Sequence, residues 1–265
     1  MCITAFIWQA HPLYPLLLLF NRDEFHNRST KPVSWWEDGE ILGGRDEVAG
    51  GTWLACTRQG KLAFLTNVRE TSNLPNAHTR GDLPLRFFKS SKSPMEFAEE
   101  VLKEADRYNG FNLIVTDICS KSMVYVSNRP KGEASMQVVS PGIHVLSNAQ
   151  LDTPWQKAQR LGQKFKELLD NHGKEEVSVK DMAAELMCDT TKADINNLPG
   201  IRSRELEYKT SSIFIDQFDT PLGRYGTRST AALSVNTSGE ICFHEKYLAE
   251  EEWMEHTVNL HIVRI

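Results

Sequence analysis

The chain has 265 residues, 40% of them hydrophobic and 25% charged, and carries a net charge of -5. That profile excludes a disordered, collagen-like or coiled-coil chain, and its acidic balance disfavours a nucleic-acid binder, which would show a basic excess. Five cysteines (Cys2, Cys56, Cys119, Cys188 and Cys242) form no CxxC pair. An odd, scattered set predicts reduced thiols in a cytosol-like compartment rather than a disulfide framework.

The chain opens with short apolar segments that read as strands: Ile3–Trp8, Leu16–Phe20, Gly51–Cys56 and Leu62–Thr66, with turns expected at Gly43-Gly44 and Gly50-Gly51. The run Leu16–Phe20 is far short of the roughly 20 apolar residues that cross a bilayer. No Lys or Arg precedes it and no small-residue cleavage site follows, so it is read as a buried strand rather than an export signal. Ser93-Pro94-Met95-Glu96 has the cap, proline and returning glutamate of a helix start, and Phe97, Val101, Leu102 and Ala105 continue at helical spacing. Strands are predicted again at Phe111–Thr116, Val124–Ser127 and His144–Ser147. A second helical block begins at Thr153-Pro154, with Trp155, Ala158, Leu161, Phe165, Leu168 and Leu169 on one face and Gly173 as its stop. Ser178 opens another helix, in which Met182, Leu186 and Met187 face inward. Residues 189–211 are polar, contain Pro199-Gly200, and read as a long surface loop. Ser212–Ile215, Ala231–Val235, Glu240–Lys246 and Val258–Val263 are the closing strands. Strands that mostly follow strands through short turns predict antiparallel sheets. Helices grouped between them predict an α+β layered fold, taken as a single domain over 1–265.

Cys2 is the most informative residue. Removal of the initiator Met would leave a cysteine whose thiol and α-amine share one residue. The amine, with a pKa of about 7.7–8.0, could then act as base on a thiol of about 8.5. If the first two strands form a hairpin, Asn21-Arg22-Asp23-Glu24 at the end of the second returns to Cys2. An arginine there would favour thiolate, and a carboxylate could hold the amine. Asn67, Asn148 and Arg228 also sit at strand ends; an amide side chain can donate to a developing oxyanion, although each Asn alone also suits a turn. Trp35, Trp36 and Trp53 could line an apolar substrate pocket or pack in the core. The eight histidines show no HxxxH or HExxH spacing, so no metal site is expected. His144, His244 and His256 could ligate haem iron, without any spacing that requires it. Gly43-Gly44-Arg45-Asp46 and Gly50-Gly51-Thr52-Trp53 match neither a P-loop nor a dinucleotide fingerprint, and the sequence has no GxSxG nucleophile elbow.

Several of these segments carry a resemblance. Met1-Cys2-Ile3, Asn21-Arg22-Asp23-Glu24-Phe25, Gly50-Gly51-Thr52-Trp53-Leu54, Leu65-Thr66-Asn67, Tyr108-Asn109-Gly110-Phe111-Asn112-Leu113, Leu146-Ser147-Asn148-Ala149 with Thr153-Pro154-Trp155, and Tyr225-Gly226-Thr227-Arg228 together resemble the NRDE family. The resemblance implies the fold of N-terminal-nucleophile hydrolases, a four-layer αββα sandwich with two antiparallel sheets between helices. In the cysteine branch of those enzymes, which includes bile-salt hydrolases and penicillin V acylase, the site is an N-terminal Cys with Arg, Asp, Asn and Arg. The matching positions are Cys2, Arg22, Asp23, Asn67 or Asn148, and Arg228. Those enzymes separate the Arg and Asp by a few residues, whereas here they are adjacent. Neighbouring side chains of a strand point to opposite faces, so either Asp23 or Glu24 could be the carboxylate.

The resemblance further implies roles in Golgi organisation and protein secretion, in lipid or acyl-CoA homeostasis, and in haem trafficking. It implies a cytoplasmic location with Golgi or mitochondrial association, and no secretion. Two functions follow. One is an amide (C–N) hydrolase with Cys2 as nucleophile. The other is a carrier on a hydrolase-like scaffold that requires no cofactor and holds haem or another small-molecule or lipid-like ligand. Neither involves nucleic acid or a transmembrane segment, and both leave the oligomeric state open.

Overall fold

The computed structural model describes residues 2–263. Strands β1 (Cys2–Trp8), β2 (Leu16–Phe25), β3 (Thr30–Trp35), β4 (Ile41–Asp46), β5 (Leu54–Thr57) and β6 (Lys61–Asn67) come first. Helices α1 (Asp82–Lys89) and α2 (Pro94–Lys103) precede β7 (Phe111–Asp117), β8 (Ser122–Ser127), β9 (Ser135–Val138) and β10 (Gly142–Leu146). Helices α3 (Gln156–His172), α4 (Val179–Leu186) and α5 (Arg204–Lys209) follow, and β11 (Phe218–Thr220), β12 (Gly223–Val235), β13 (Glu240–Ala249) and β14 (Glu252–His261) close the chain. The chain divides into two compact units. One comprises Met1–Asn27, Pro141–Ser147 and Leu151–Asn259; the other comprises Arg28–Ser140, Asn148–Gln150 and Leu260–Ile265.

The first unit is a sheet ordered β10-β1-β2-β12-β13-β14, with β11 added on β12. Strand β1 pairs antiparallel with β10 and β2, and β12 pairs antiparallel with β2, β11 and β13. Alternation along β1 sends Ile3, Ala5 and Ile7 to one face, where they pack with Leu17 and Leu19 of β2 and with Leu161, Phe165 and Leu168 of α3. Full burial of a side chain such as Phe165 stabilises by about 1.5–3 kcal/mol. Thr4, Phe6 and Trp8 on the other face are buried too. That two-sided burial is why Leu16–Phe20 is a continuous apolar run rather than an alternating one. Ser178 caps α4 by accepting from Asp181 N, and Gly173, at φ +58°, ends α3.

The second unit is a sheet in the order β3-β4-β5-β6-β7-β8-β9, again antiparallel. Helices α1 and α2 cover the face presented by Ala63, Leu65, Leu113, Val115, Val124 and Val126. The expected start of α2 is a complete capping box between Ser93 and Glu96. Each unit is thus an antiparallel sheet with helices packed on it, the α+β class that the order of segments predicts.

Three local expectations are corrected. Gly43-Gly44 is not a turn but lies inside β4. The glycines serve close approach: a Cβ on Gly43 would lie 2.4 Å from Ala55 Cβ, and one on Gly44 would lie 2.3 Å from the Trp53 ring. Gly43→Val is therefore expected to destabilise the protein by about 2 kcal/mol or more, read as a lower urea midpoint at unchanged slope. Residues 189–211 are not a plain surface loop. Glu207 of α5 is buried there and accepts from the backbone N–H groups of Gly200, Ile201 and Arg202 at 2.8–3.0 Å. Ser212–Ile215 is not a strand; its backbone instead bonds to side chains of β2 and β12.

Candidate active site

The tetrad Asn21-Arg22-Asp23-Glu24 continues β2 rather than following it. Cys2 pairs with Arg22, and Arg22 pairs with Ser229. Directly opposed residues share a face, so Cys2, Arg22 and Ser229 form one row across three strands. Asn21 and Asp23 point the other way, toward the helix-covered side. Asn21 Nδ2 donates to Met187 O and Ile213 O at 2.8 and 3.0 Å, and Thr230 Oγ1 donates to Asn21 Oδ1 at 2.7 Å. Asp23 Oδ1 accepts from Thr227 Oγ1 at 2.7 Å, and Thr227 Oγ1 accepts from Ile215 N. Tyr225 donates its hydroxyl to Asp23 O.

Arg228 reaches this row through an irregularity. Thr227 pairs with Asp23 and Ser229 with Arg22, which leaves Arg228 as an extra residue in β12. Such a bulge re-aims a side chain at the cost of one ladder position. The Arg228 guanidinium donates to Phe25 O at 3.4 Å. Burial and the Arg22 charge hold its pKa below the ordinary arginine value, with Glu24 opposing. Two arginines and Glu24 thus meet at the end of β2, and Glu24 also accepts from Phe25 N.

Asp23 and Glu24 are separated by this geometry. Asp23 is 1% exposed, and burial lifts its carboxyl pKa against the positive charges of the amino terminus and Lys157 and the Thr227 hydrogen bond. Its charge is felt at Cys2, whereas Glu24 is felt at Arg228. The thiol itself departs from the sequence expectation. Cys2 is 7% exposed, and burial pushes its pKa up. The amino terminus, Arg22 and a backbone hydrogen bond from Asp23 act the other way without overcoming it. Nearby arginine does favour thiolate, but loss of hydration dominates. Ser147 Oγ donates to Cys2 O at 3.0 Å, fixing the backbone there. Met1 and its removal lie outside the described residues.

Asn67 and Asn148 belong to the second unit and are joined to each other: Asn148 Nδ2 donates to Asn67 O at 2.8 Å, and Arg69 N donates to Asn148 O. One amide hydrogen of Asn148 is thereby committed to the end of β6. The three tryptophans are not one cluster. Trp36 packs against Ile41, Ala55 and Leu85 beside α1, and its indole N–H donates to Gly43 O. Arg58 lies over Trp35 at 3.9 Å, and Trp53 covers Gly44. The histidines do not converge either. His144, bonded to Asp152, is on β10 at one edge of its sheet, while His244 and His256 are on β13 and β14 at the other. Among the described residues no group of three or more His, Cys, Asp or Glu could hold a metal ion. No described helix is long and apolar enough to cross a membrane.

The thiols should differ measurably. Cys119 and Cys188 are exposed, whereas burial pushes Cys56 up to about 12. With iodoacetamide near neutral pH, Cys119 and Cys188 are expected to be modified first, Cys2 more slowly, and Cys56 last, as read by peptide mass.

Sequence reasoning missed Thr227, Ser229, Ser147 and Lys157. Thr227 lies inside a motif already noted. Lys157 has its own signal: a lysine four residues before Leu161 and eight before Phe165 sits on an apolar helix stripe.

Comparisons with known proteins now bear on this geometry. The family model described as Transport and Golgi organisation 2 matches residues 1–250. The mouse Transport and Golgi organization 2 homolog is 32% identical over 95% of this chain and 95% of its own. The bovine homolog is 34% identical, over 93% and 92%. Two crystal structures of variants of conjugated bile acid hydrolase from Clostridium perfringens align with TM-scores of 0.54 and 0.51 at 11% and 10% identity. They cover 98% and 97% of this chain and 97% and 92% of those chains. At that identity the likeness shows the fold alone, that of the N-terminal-nucleophile hydrolases.

Proposed function

Since this chain belongs to the Transport and Golgi organisation 2 family, we propose that it serves Golgi organisation and secretory traffic through an amide (C–N) hydrolase site with Cys2 as nucleophile. One observation carries the chemistry: Cys2 stands in register with Arg22 and within the field of Asp23, at a strand end that a bulge supplies with Arg228. A thiol whose pKa is raised is not a standing thiolate. Its proton must leave as the sulfur attacks, and the α-amine of the same residue is the base closest to hand.

The proposed cycle balances as follows. The Cys2 sulfur bonds to the amide carbonyl carbon while its proton passes to the Cys2 amine. The tetrahedral adduct collapses with cleavage of the C–N bond, and the ammonium returns that proton to the leaving nitrogen. Water then hydrolyses the thioester to the acid and restores the thiol. Asp23 favours the ammonium form of the amine, and the two guanidiniums stabilise negative charge that develops beside the sulfur.

The test is an intact-mass measurement on native protein joined to a hydrolysis assay with a chromogenic N-acyl anilide. A chain that starts at Cys2 and releases the aniline supports the reading. Retained Met1 blocks the amine and overturns it. Golgi organisation in cells that carry only the Cys2→Ala protein separates this from the carrier reading, in which the scaffold holds haem or an acyl chain. Loss of function supports the enzyme, and full function supports the carrier. Haem titration followed by Soret absorbance tests that ligand directly; no saturable change excludes it.

A further inference from the structure

We propose that Lys157 is a positioning residue of the Cys2 site, its buried ammonium holding the Asp23 carboxylate in the charged form behind the nucleophile. The proposal rests on the nucleophile reading of Cys2 and adds to it a residue from α3.

Lys157 is 2% exposed. A lysine is almost never so deeply placed unless an anion and hydrogen-bond acceptors offset its lost hydration. Its Nζ donates to Thr210 O at 3.2 Å. Thr210 begins the segment that lines this side of the sheet: Ile213 O accepts from Asn21, and Ile215 N donates to Thr227 Oγ1, which in turn donates to Asp23. Lys157 and Asp23 therefore lie on the same wall, behind the helix-covered face of β2. Position 157 also shares the α3 stripe of Leu161 and Phe165, which pack on Ala5, Leu17 and Leu19 of that face.

The charges around Asp23 divide by element. The amino-terminal charge acts from the start of the chain, Cys2 is on β1, Arg22 and Glu24 are on the same strand as Asp23, Arg228 is on β12, and Lys157 is on α3. Arg22 and Glu24 point to the opposite face, with Arg228 beside them. On the α5 side the buried Glu207 carboxylate already accepts from the N–H groups of Gly200, Ile201 and Arg202. The Lys157 charge opposes the burial that would otherwise favour a neutral Asp23. An ionised Asp23 is what an α-ammonium needs when it receives the thiol proton.

The experiment follows the rate of Cys2 modification by iodoacetamide against pH, read by peptide mass, in protein whose chain starts at Cys2. The wild type is compared with Asp23→Asn, Lys157→Gln and Lys157→Arg. One ionisation in the wild-type profile should vanish in Asp23→Asn. That ionisation is expected to move up by about one pH unit or more in Lys157→Gln, because a neighbouring cation is lost, and to return in Lys157→Arg. A folded Lys157→Gln with the wild-type profile overturns the proposal. If Lys157→Gln does not fold, Asp23→Asn/Lys157→Gln decides. Recovered stability supports the coupling of the two charges, and a double variant no more stable than the single one refutes it. Retained Met1 or a wild-type rate that ignores pH sinks the nucleophile reading instead, while the stability comparison still reads the coupling.

Discussion

Cys2→Ala protein, started at residue 2, is expected to lose amide turnover by at least about 10³-fold, with its fold intact. Deleting a covalent nucleophile leaves only binding and charge stabilisation, which is why such losses are large. Cys2 makes room for alanine readily, since both are small and its backbone is fixed from outside: its carbonyl accepts from Ser147, and the strand pairs with β2 and β10. Circular dichroism and the urea midpoint should therefore match wild type while anilide release disappears. Turnover that survives the substitution would show that sulfur is not the attacking atom. Cys2→Ser sharpens the result, because an alcohol is a far weaker acid than a thiol and asks more of the same amine.

The second large effect is one of stability. Asn21→Ala should cost about 3 kcal/mol, seen as a drop in the urea midpoint with little change in slope. Asn21 is fully buried and makes three hydrogen bonds, two donated to Met187 O and Ile213 O and one accepted from Thr230. At about 1 kcal/mol each, the sum is a large share of a typical folding free energy. The carbonyls of Met187 and Ile213 would be left buried without that donor. Asn21→Asp should fare no better, since a carboxylate accepts where both carbonyls need a donor. A variant within about 0.5 kcal/mol of wild type would mean that water enters and replaces the amide.

The ladder of the fold was legible because its signals are local. Leu16–Phe20 is apolar on consecutive residues, and α2 announces its start with Ser93, Pro94 and Glu96. The edge elements were not legible. Strand β3 spells Thr-Lys-Pro-Val-Ser-Trp, with no clean alternation, and β4 contains two glycines that read as a turn until the Ala55 and Trp53 side chains that need the space are known. Helix α1 lacks a side-chain cap.

At the site, the pairing of Cys2 with Arg22 was legible from hairpin geometry, because an antiparallel return brings the end of one strand to the start of the other. The balance at the sulfur was not. A sequence displays Arg22 but not the packing around it, and here dehydration outweighs the cation. The different surroundings of Asp23 and Glu24 likewise needed the structure, because the irregularity in β12 that brings Arg228 beside Glu24 is encoded by no residue type.

That bulge carries a further consequence. Deleting Arg228 would bring Thr227 and Ser229 into one uninterrupted ladder, so backbone pairing would gain regularity while a guanidinium vanished from the end of β2. Hydrogen-bond economy and chemistry thus compete at a single codon. A descendant that lost that codon would keep Cys2 in register with Arg22, yet one of the two guanidiniums beside Glu24 would be gone, and with it the hydrogen bond to Phe25 O.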